Sequence, residues 1–472
     1  MKKFKILLPI IAALSLTACS NLAGLLSELV ESLDINSSES TTETSESSSQ
    51  GGQTSSSSNN STTSSSSSST PGKADYTIML YLCGSDLESN YGMASEDIKE
   101  ILSLSCPKNV NILIETGGAN SWGLCTFNNQ GEVVSQTNTY NISSKKLGRY
   151  VVNGKSLQKA SELTYSASMG ATSTLQSFLQ WGLSEYPAEQ TGLILWNHGA
   201  AMGGCCFDEV KLDSYGYEDS LSAAEVGTAV SNAMKAVGRT EKLEWIGYDC
   251  CLMSVADIAS VNAQYFNYMV ASQESEDGYG WKYDGWLPTL YNNTKVSPTS
   301  LLPVICDTFV QDFDDTYEGY YDNDQTLSVL DLSKMPAFIS AFDTYVDACG
   351  ITSSSKWENV KTAYNNSLRF GYDEEIRSYL FGVADFENFL TKMSSSFSAN
   401  KTNLVNALHD LVIYNKYGST GYSSTKPCGL SVFVAYAKQS GGYGLQCDAS
   451  EHYTAKDSLL TKWRAVNIKY GF

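Results

Sequence analysis

The chain has 472 residues with 31 Lys and Arg against 51 Asp and Glu, a net charge of −20, which excludes a nucleic-acid partner held by phosphate neutralisation. Only 17% of residues are charged and 42% are hydrophobic, enough apolar surface for a sizeable buried core. His198, His409 and His452 are the three histidines, so imidazole chemistry must use one of them, and a multi-histidine zinc cluster would need all three together.

The chain opens with Lys2, Lys3 and Lys5, then an apolar run from Ile6 to Leu16 that is too short for a permanent membrane span. The run closes on Leu16-Thr17-Ala18-Cys19, which resembles the lipobox of bacterial lipoproteins. That resemblance implies cleavage after residue 18, acylation of Cys19 and a lipid anchor at the extracytoplasmic face of a bacterial membrane. An ordinary cleaved signal with an incidental cysteine is the alternative. Residues 22–35 have the composition of a short amphipathic helix. Between Ser37 and Thr70, 25 of 34 residues are Ser or Thr; with so little apolar surface to offset ordering entropy, residues 20–73 read as a flexible tether. Eleven cysteines follow Cys19, an odd number that cannot all pair within one chain.

From residue 74 the pattern is that of an α/β fold. Tyr76 to Leu82 is a strand, and Asp86 is placed to cap a helix over residues 93–104. Val110 to Glu115 is the next strand, and strand–helix–strand order implies a parallel sheet. Residues 122–127 and 132–141 read as a hairpin around Asn128 to Gly131. A helix over 173–184 leads to the strand Gly192 to Trp196, which stops at Asn197-His198-Gly199. Residues 205–219 are polar and loop-like. A helix over 221–237 leads to the strand Leu243 to Tyr248, which ends at Asp249-Cys250-Cys251, and a helix is expected over 252–265. A strand over 268–272 follows. Beyond about residue 295 helical segments dominate, with strand-like runs at 326–332 and 429–436. The expected division is 74–295 as the core and 296–472 as a helix-rich subdomain.

His198 and Cys251 each follow an apolar strand, where open α/β sheets gather functional groups. They are 53 residues apart, and a histidine about 50 residues before a nucleophilic cysteine is the caspase arrangement. A thiol must ionise to attack a carbonyl; a following helix N-terminus and a nearby imidazolium both favour the thiolate. His198 would then protonate the leaving amine. The N–H groups of Gly199 and Cys251 are candidates for an oxyanion hole, with glycine at 199 leaving room for the scissile carbonyl. Taken singly, each residue also fits a structural role: a buried small thiol and a turn histidine.

Several blocks in one order carry a more specific likeness: Tyr81 to Ser89 (YLCGSDLES), Glu115 to Trp122 (ETGGANSW), Leu193 to Gly199 (LILWNHG), Tyr248 to Met253 (YDCCLM), and Ala271-Ser272-Gln273 with Gly280-Trp281 and Trp286-Leu287. Together they resemble the clostripain family of cysteine peptidases. The resemblance implies a caspase-like three-layer α/β/α sandwich with a mostly parallel sheet, and a catalytic dyad of His198 and Cys251, with Cys250 at the variable position between Asp249 and the nucleophile. It implies that Asp249 reads a P1 Arg or Lys, with a second acidic wall from Glu276, Asp277 or Asp284. Asp249 also stands where a helix N-cap would. The resemblance further implies processing at a basic residue beyond the histidine, here Lys211-Leu212. Calcium enters only through this resemblance; the acidic run Asp208, Glu209, Asp213, Glu218 and Asp219 has no EF-hand spacing, and the sequence itself requires no cofactor. The expected partners are polypeptides with Arg or Lys at P1 and, through the N-terminal lipid, a membrane. A catalytically silent binding lipoprotein on the same fold and a cysteine transpeptidase are the competing assignments.

Overall fold

The first strand sorts its side chains onto two faces. Ile78, Leu80 and Leu82 pack into one apolar core and Met79, Tyr81 and Cys83 into another, as the period-2 alternation of a strand covered on both sides requires. In a computed structural model of the chain, the described residues are 73–471 apart from 165–166, 213–217, 318–320, 374–376 and 436–457. The signal segment, Cys19, the tether with its 22–35 segment, Asp213 and His452 lie outside the described residues.

In chain order the first elements are β1 (Ala74–Cys83), α1 (Ser85–Tyr91), α2 (Met93–Ser103) and β2 (Val110–Gly117). A small hairpin of β3 (Leu124–Phe127) and β4 (Val133–Thr137) comes next, then β5 (Lys146–Asn153), β6 (Ser156–Thr164), α3 (Thr172–Glu185) and β7 (Ala188–Trp196). The hairpin β8 (Cys205–Leu212) and β9 (Glu218–Leu221) leads into α4 (Ala223–Ala236), β10 (Leu243–Asp249), α5 (Ala256–Asn262) and β11 (Phe266–Ala271). After α6 (Tyr283–Asn292) and α7 (Pro298–Tyr317) come β12 (Thr326–Asp331), further helices and β13 (Val412–Tyr417).

Nine strands form one sheet in the order β13-β12-β11-β10-β7-β1-β2-β5-β6. The central five, β11 to β2, are parallel; both flanks are antiparallel. Helices cover both faces, giving the expected three-layer sandwich. The chain runs from β1 outward to β2 and later returns to the other side of β1 as β7, so the strand order reverses between β1 and β7 and opens a crevice at their carboxyl ends. The sheet runs across residue 295, because β12 and β13 extend it.

Three local expectations are corrected. Asp86 caps nothing: it lies inside α1, and the cap of α2 is Gly92, whose φ of +71° suits glycine. In place of the loop expected over 205–219, β8 pairs with β9 as a hairpin, with Cys205 opposite Leu221 and Leu212 opposite Glu218. The helix after Cys251 begins only at Ala256, five residues on.

One buried charge pair was invisible to pattern reading. Glu115 of β2 lies opposite Arg149 of β5 in the ladder, with Arg149 Nε 2.6 Å from Glu115 Oε2 and the carboxylate fully buried. Burial pushes the Glu115 carboxyl up to about 7 even though Arg149 opposes the shift. Arg149→Met leaves that carboxyl without its counter-charge and is expected to lower stability by about 3 kcal/mol at pH 8, read by urea unfolding. Losing the cation raises the Glu115 pKa further, so in acid the group is neutral in both proteins, and the loss at pH 5 is expected to be clearly smaller.

Candidate active site

Asn197, the residue after β7, ties the rim together. Its side-chain N–H donates to the Cys83 carbonyl at the end of β1 (2.8 Å) and to Ser85 Oγ (2.7 Å), and its side-chain oxygen accepts from the Phe207 N–H of β8 (2.7 Å). Its backbone N–H donates to the Asp249 carbonyl at the end of β10 (3.2 Å). Three strand ends and the β8 hairpin therefore meet beside the next residue, His198.

Gly199 then brings the histidine loop against the cysteine turn. A Cβ on Gly199 would stand 2.1 Å from the Cys251 carbonyl oxygen and 3.0 Å from its nitrogen. Glycine is needed here for contact between two backbones, not to clear a substrate carbonyl. His198, Asp249, Cys250, Cys251, Glu276 and Asp277 line one cleft with Trp196, Asn197, Leu87, Gly278 and Gly280. His198 and Cys251 are buried, at 4% and 5% exposure.

Around the sulfur, the Glu276 backbone N–H points at Cys251 Sγ from 3.3 Å, an arrangement that favours negative charge there. No helix N-terminus contributes, since α5 starts too late. Cys251 is in a disulfide, whereas Cys83, Cys205, Cys206 and Cys250 are free and buried. Cys250 turns from its neighbour: its thiol donates to the Leu195 carbonyl at 3.3 Å, and burial, with Cys205 beside it, holds its pKa well above the usual thiol value.

Asp249 lies 4% exposed behind the cleft. Its carboxylate accepts from the Trp281 N–H (3.2 and 3.3 Å) and the Tyr283 hydroxyl (2.9 Å), so it is not a helix cap. A Cβ on Gly280, where φ is +65°, would stand 2.9 Å from Asp249 Oδ1; glycine thus serves both the turn and the close approach. Burial pushes the Asp249 carboxyl up to about 7. Burial, and then the Asp249 charge, pushes Glu276 well above its ordinary value. Asp97 of α2 is raised for the same reasons while accepting from Trp196 Nε1 at 2.7 Å. The sequence placed Asn197 beside His198 but gave no sign of its bonds, and Asp97 carried no local signal.

Asp277 lines the cleft, and its carboxylate accepts from the Tyr279 N–H at 3.0 Å. Asp284 is not brought to the cleft: it lies in the first turn of α6, 3.6 Å from Lys282, which just precedes the helix and also pairs with Glu100 and Asp312. Lys211 and Leu212 end β8, and Leu212 is 62% exposed. His409 is exposed and pairs with Glu387.

Among the described residues no three His, Cys, Asp or Glu side chains are grouped to hold a metal ion. In the acidic run, Asp208 accepts from the N–H groups of Met169, Val210 and Lys211, and Glu209 from that of Asn120. These two carboxylates serve the protein's own backbone, and Asp213 lies outside the described residues.

A family model described as the clostripain family matches residues 80–457. Clostripain of Hathewaya histolytica is 23% identical over 347 residues, 64% of this chain and 64% of that protein's length, so the match spans slightly under two thirds of the relative. An inactive zymogen C11 protease from Parabacteroides distasonis superposes with a TM-score of 0.54 at 16% identity, covering 83% of this chain and 98% of that one. The secreted C11 cysteine protease iotapain from Bacteroides thetaiotaomicron gives 0.55 at 16% identity, covering 84% and 100%. At that identity the likeness is one of fold.

Proposed function

The chain belongs to the clostripain family, and we propose that it is a cysteine endopeptidase cleaving after Arg or Lys, with Cys251 as nucleophile and His198 as its acid–base partner. The observation that carries this reading is the backbone contact of Gly199 with Cys251, which sets both side chains on one cleft. Once the disulfide on Cys251 is reduced, the thiolate attacks the scissile carbonyl carbon, and the N–H groups of Gly199 and Cys251 face the oxyanion. The imidazolium of His198 protonates the leaving amine; the neutral ring then takes a proton from water, and hydroxide attack releases the acid. Hydrolysis of Arg- and Lys-amide peptides in reducing buffer is expected to vanish in Cys251→Ala and to survive largely in Cys250→Ala. Loss in the Cys250 variant instead would move the nucleophile. A Cys251 thiol that reacts with iodoacetamide only near the ordinary pKa of about 8.5 would favour the silent binding lipoprotein, and transfer to an added amine would favour a transpeptidase.

Asp249 and Glu276 supply the basis for a P1 cation. Two adjoining buried carboxyls share a proton until a guanidinium or ammonium enters, and Arg can engage both oxygens of one of them. A cation needs ionised Asp249, and its carboxyl is pushed up to about 7. KM for Arg substrates is therefore expected to rise as pH falls below about 7. In Asp249→Asn it should be high and independent of pH across that range; an unchanged pH profile there would remove Asp249 from the S1 role.

Processing belongs to the same reading. Lys211-Leu212 ends a hairpin strand that starts seven residues after His198 and is buried at its beginning but exposed at Leu212, and exposed hairpin ends suit nicking. Wild-type protein is expected to run as two fragments on a denaturing gel and Lys211→Ala as one; a fully active uncut wild type would dismiss processing. The Leu16 to Cys19 pattern supports a lipid-anchored enzyme at the cell surface.

A further inference from the structure

Asp86 has no part in the reading above, yet it makes the closest polar contact of the histidine. We propose that Asp86 is the positioning residue for His198; the proposal rests on the Cys251–His198 reading and adds a third member to it. The two residues follow β1 and β7, the neighbouring strands between which the sheet order reverses. Asp86 Oδ1 lies 2.7 Å from His198 Nε2, and the ring is buried while the carboxylate side chain remains a third exposed. A carboxylate only accepts, so Nε2 carries the proton and Nδ1 is the nitrogen left to exchange protons with sulfur, leaving amine and water.

The carboxylate is itself held in place. Ser85 Oγ donates to Asp86 Oδ1 at 3.1 Å and accepts from Asn197 at 2.7 Å. Ser85 is 1% exposed and sits at φ +45°, a conformation a serine adopts only where its surroundings enforce it. A strained turn at the mouth of a crevice, stabilised by the residue adjoining the histidine, aims one oxygen at one ring nitrogen.

Electrostatics agree with the geometry. Burial alone would pull the imidazolium pKa down, but Asp86 from α1, with Glu218 from β9 and Glu209 from β8 behind it, leaves it raised. Asp86 is correspondingly lowered: burial favours its acid, and His198 and Ser85 more than offset it. Glu218 is pushed up to about 7 by burial and then by Asp86. Cys251, Asp249 and Glu276 occupy the rest of the cleft. A raised histidine pKa keeps the imidazolium available to the leaving amine over a wider alkaline range.

Asp86→Asn in the full chain, reduced and assayed on an Arg-amide peptide, is expected to lower kcat about 100-fold with KM little changed, and to move the alkaline limb of the kcat profile to lower pH. Asp86→Glu should recover part of both. With three histidines in the chain, NMR titration of labelled imidazoles in the Cys251→Ala protein reads His198 without turnover, and its pKa should fall when Asp86→Asn is added. An unmoved His198 titration and alkaline limb, even with kcat reduced, would mark a merely structural residue and overturn the proposal; an active wild type in the same assay would leave the Cys–His reading intact. If Asp86→Asn does not fold, Ser85→Ala, which keeps the carboxylate and removes its support, should shift the titration in the same direction, and no shift would likewise overturn it.

Discussion

The site depends on one buried amide. Asn197 satisfies the last carbonyl of β1, a hydroxyl at the start of α1 and an N–H of β8, while its backbone bonds to the last residue of β10. β7 lies between β1 and β10 in a parallel sheet, so its carboxyl end is the single point from which one residue reaches both neighbours. The following histidine inherits that position. Removing any one of these bonds leaves a buried polar group unpaired, and such orphans are costly, so the arrangement is held by its alternatives being worse.

The cleft is built against its own stability. Asp97, Asp249 and Glu276 are all nearly inaccessible to water, and their shared neighbourhood raises each of them above its ordinary pKa. Trp196, Trp281 and Tyr283 donate to two of these carboxyls, which relieves part of the desolvation without supplying a positive charge. Elsewhere in the fold a buried carboxylate receives an arginine, as Glu115 does. Among the described residues these three carboxyls have no such counter-charge; in the proposed reading the P1 cation of a substrate would supply it.

Much of this was legible from local pattern. Strands such as Tyr76 to Leu82 and Leu193 to Trp196 are apolar runs that end in turn chemistry, and the order of strands and helices implied a parallel sheet whose rim gathers His198 and Cys251. Other features were not legible because they join residues far apart in the chain. Asp86 and His198 are 112 positions apart, and nothing near Asp86 separates a helix cap from a histidine partner. Residues 205–219 read as loop because their charges obscure the alternation; Asp208 is nevertheless buried, because three backbone N–H groups surround its carboxylate. The late start of α5 was hidden as well: Leu252, at φ +67°, breaks the backbone path just where apolar spacing suggested a continuous helix.

The residues proposed for specificity and for chemistry share one short stretch of backbone. Asp249 closes β10, Cys251 stands two residues on, and Cys250 between them turns its thiol into the core toward Leu195. Alternation therefore directs the carboxylate and the sulfur to the same cleft while their neighbour anchors the strand end. A residue inserted or deleted here would move both side chains relative to Gly199 and His198. Because the Gly199 backbone already meets the Cys251 carbonyl with no room for a Cβ, the turn cannot slide to compensate. The distance between the pocket that would read a P1 cation and the sulfur that would attack the bond beside it is thus a property of the sheet, set by hydrogen-bond register rather than by any flexible side chain.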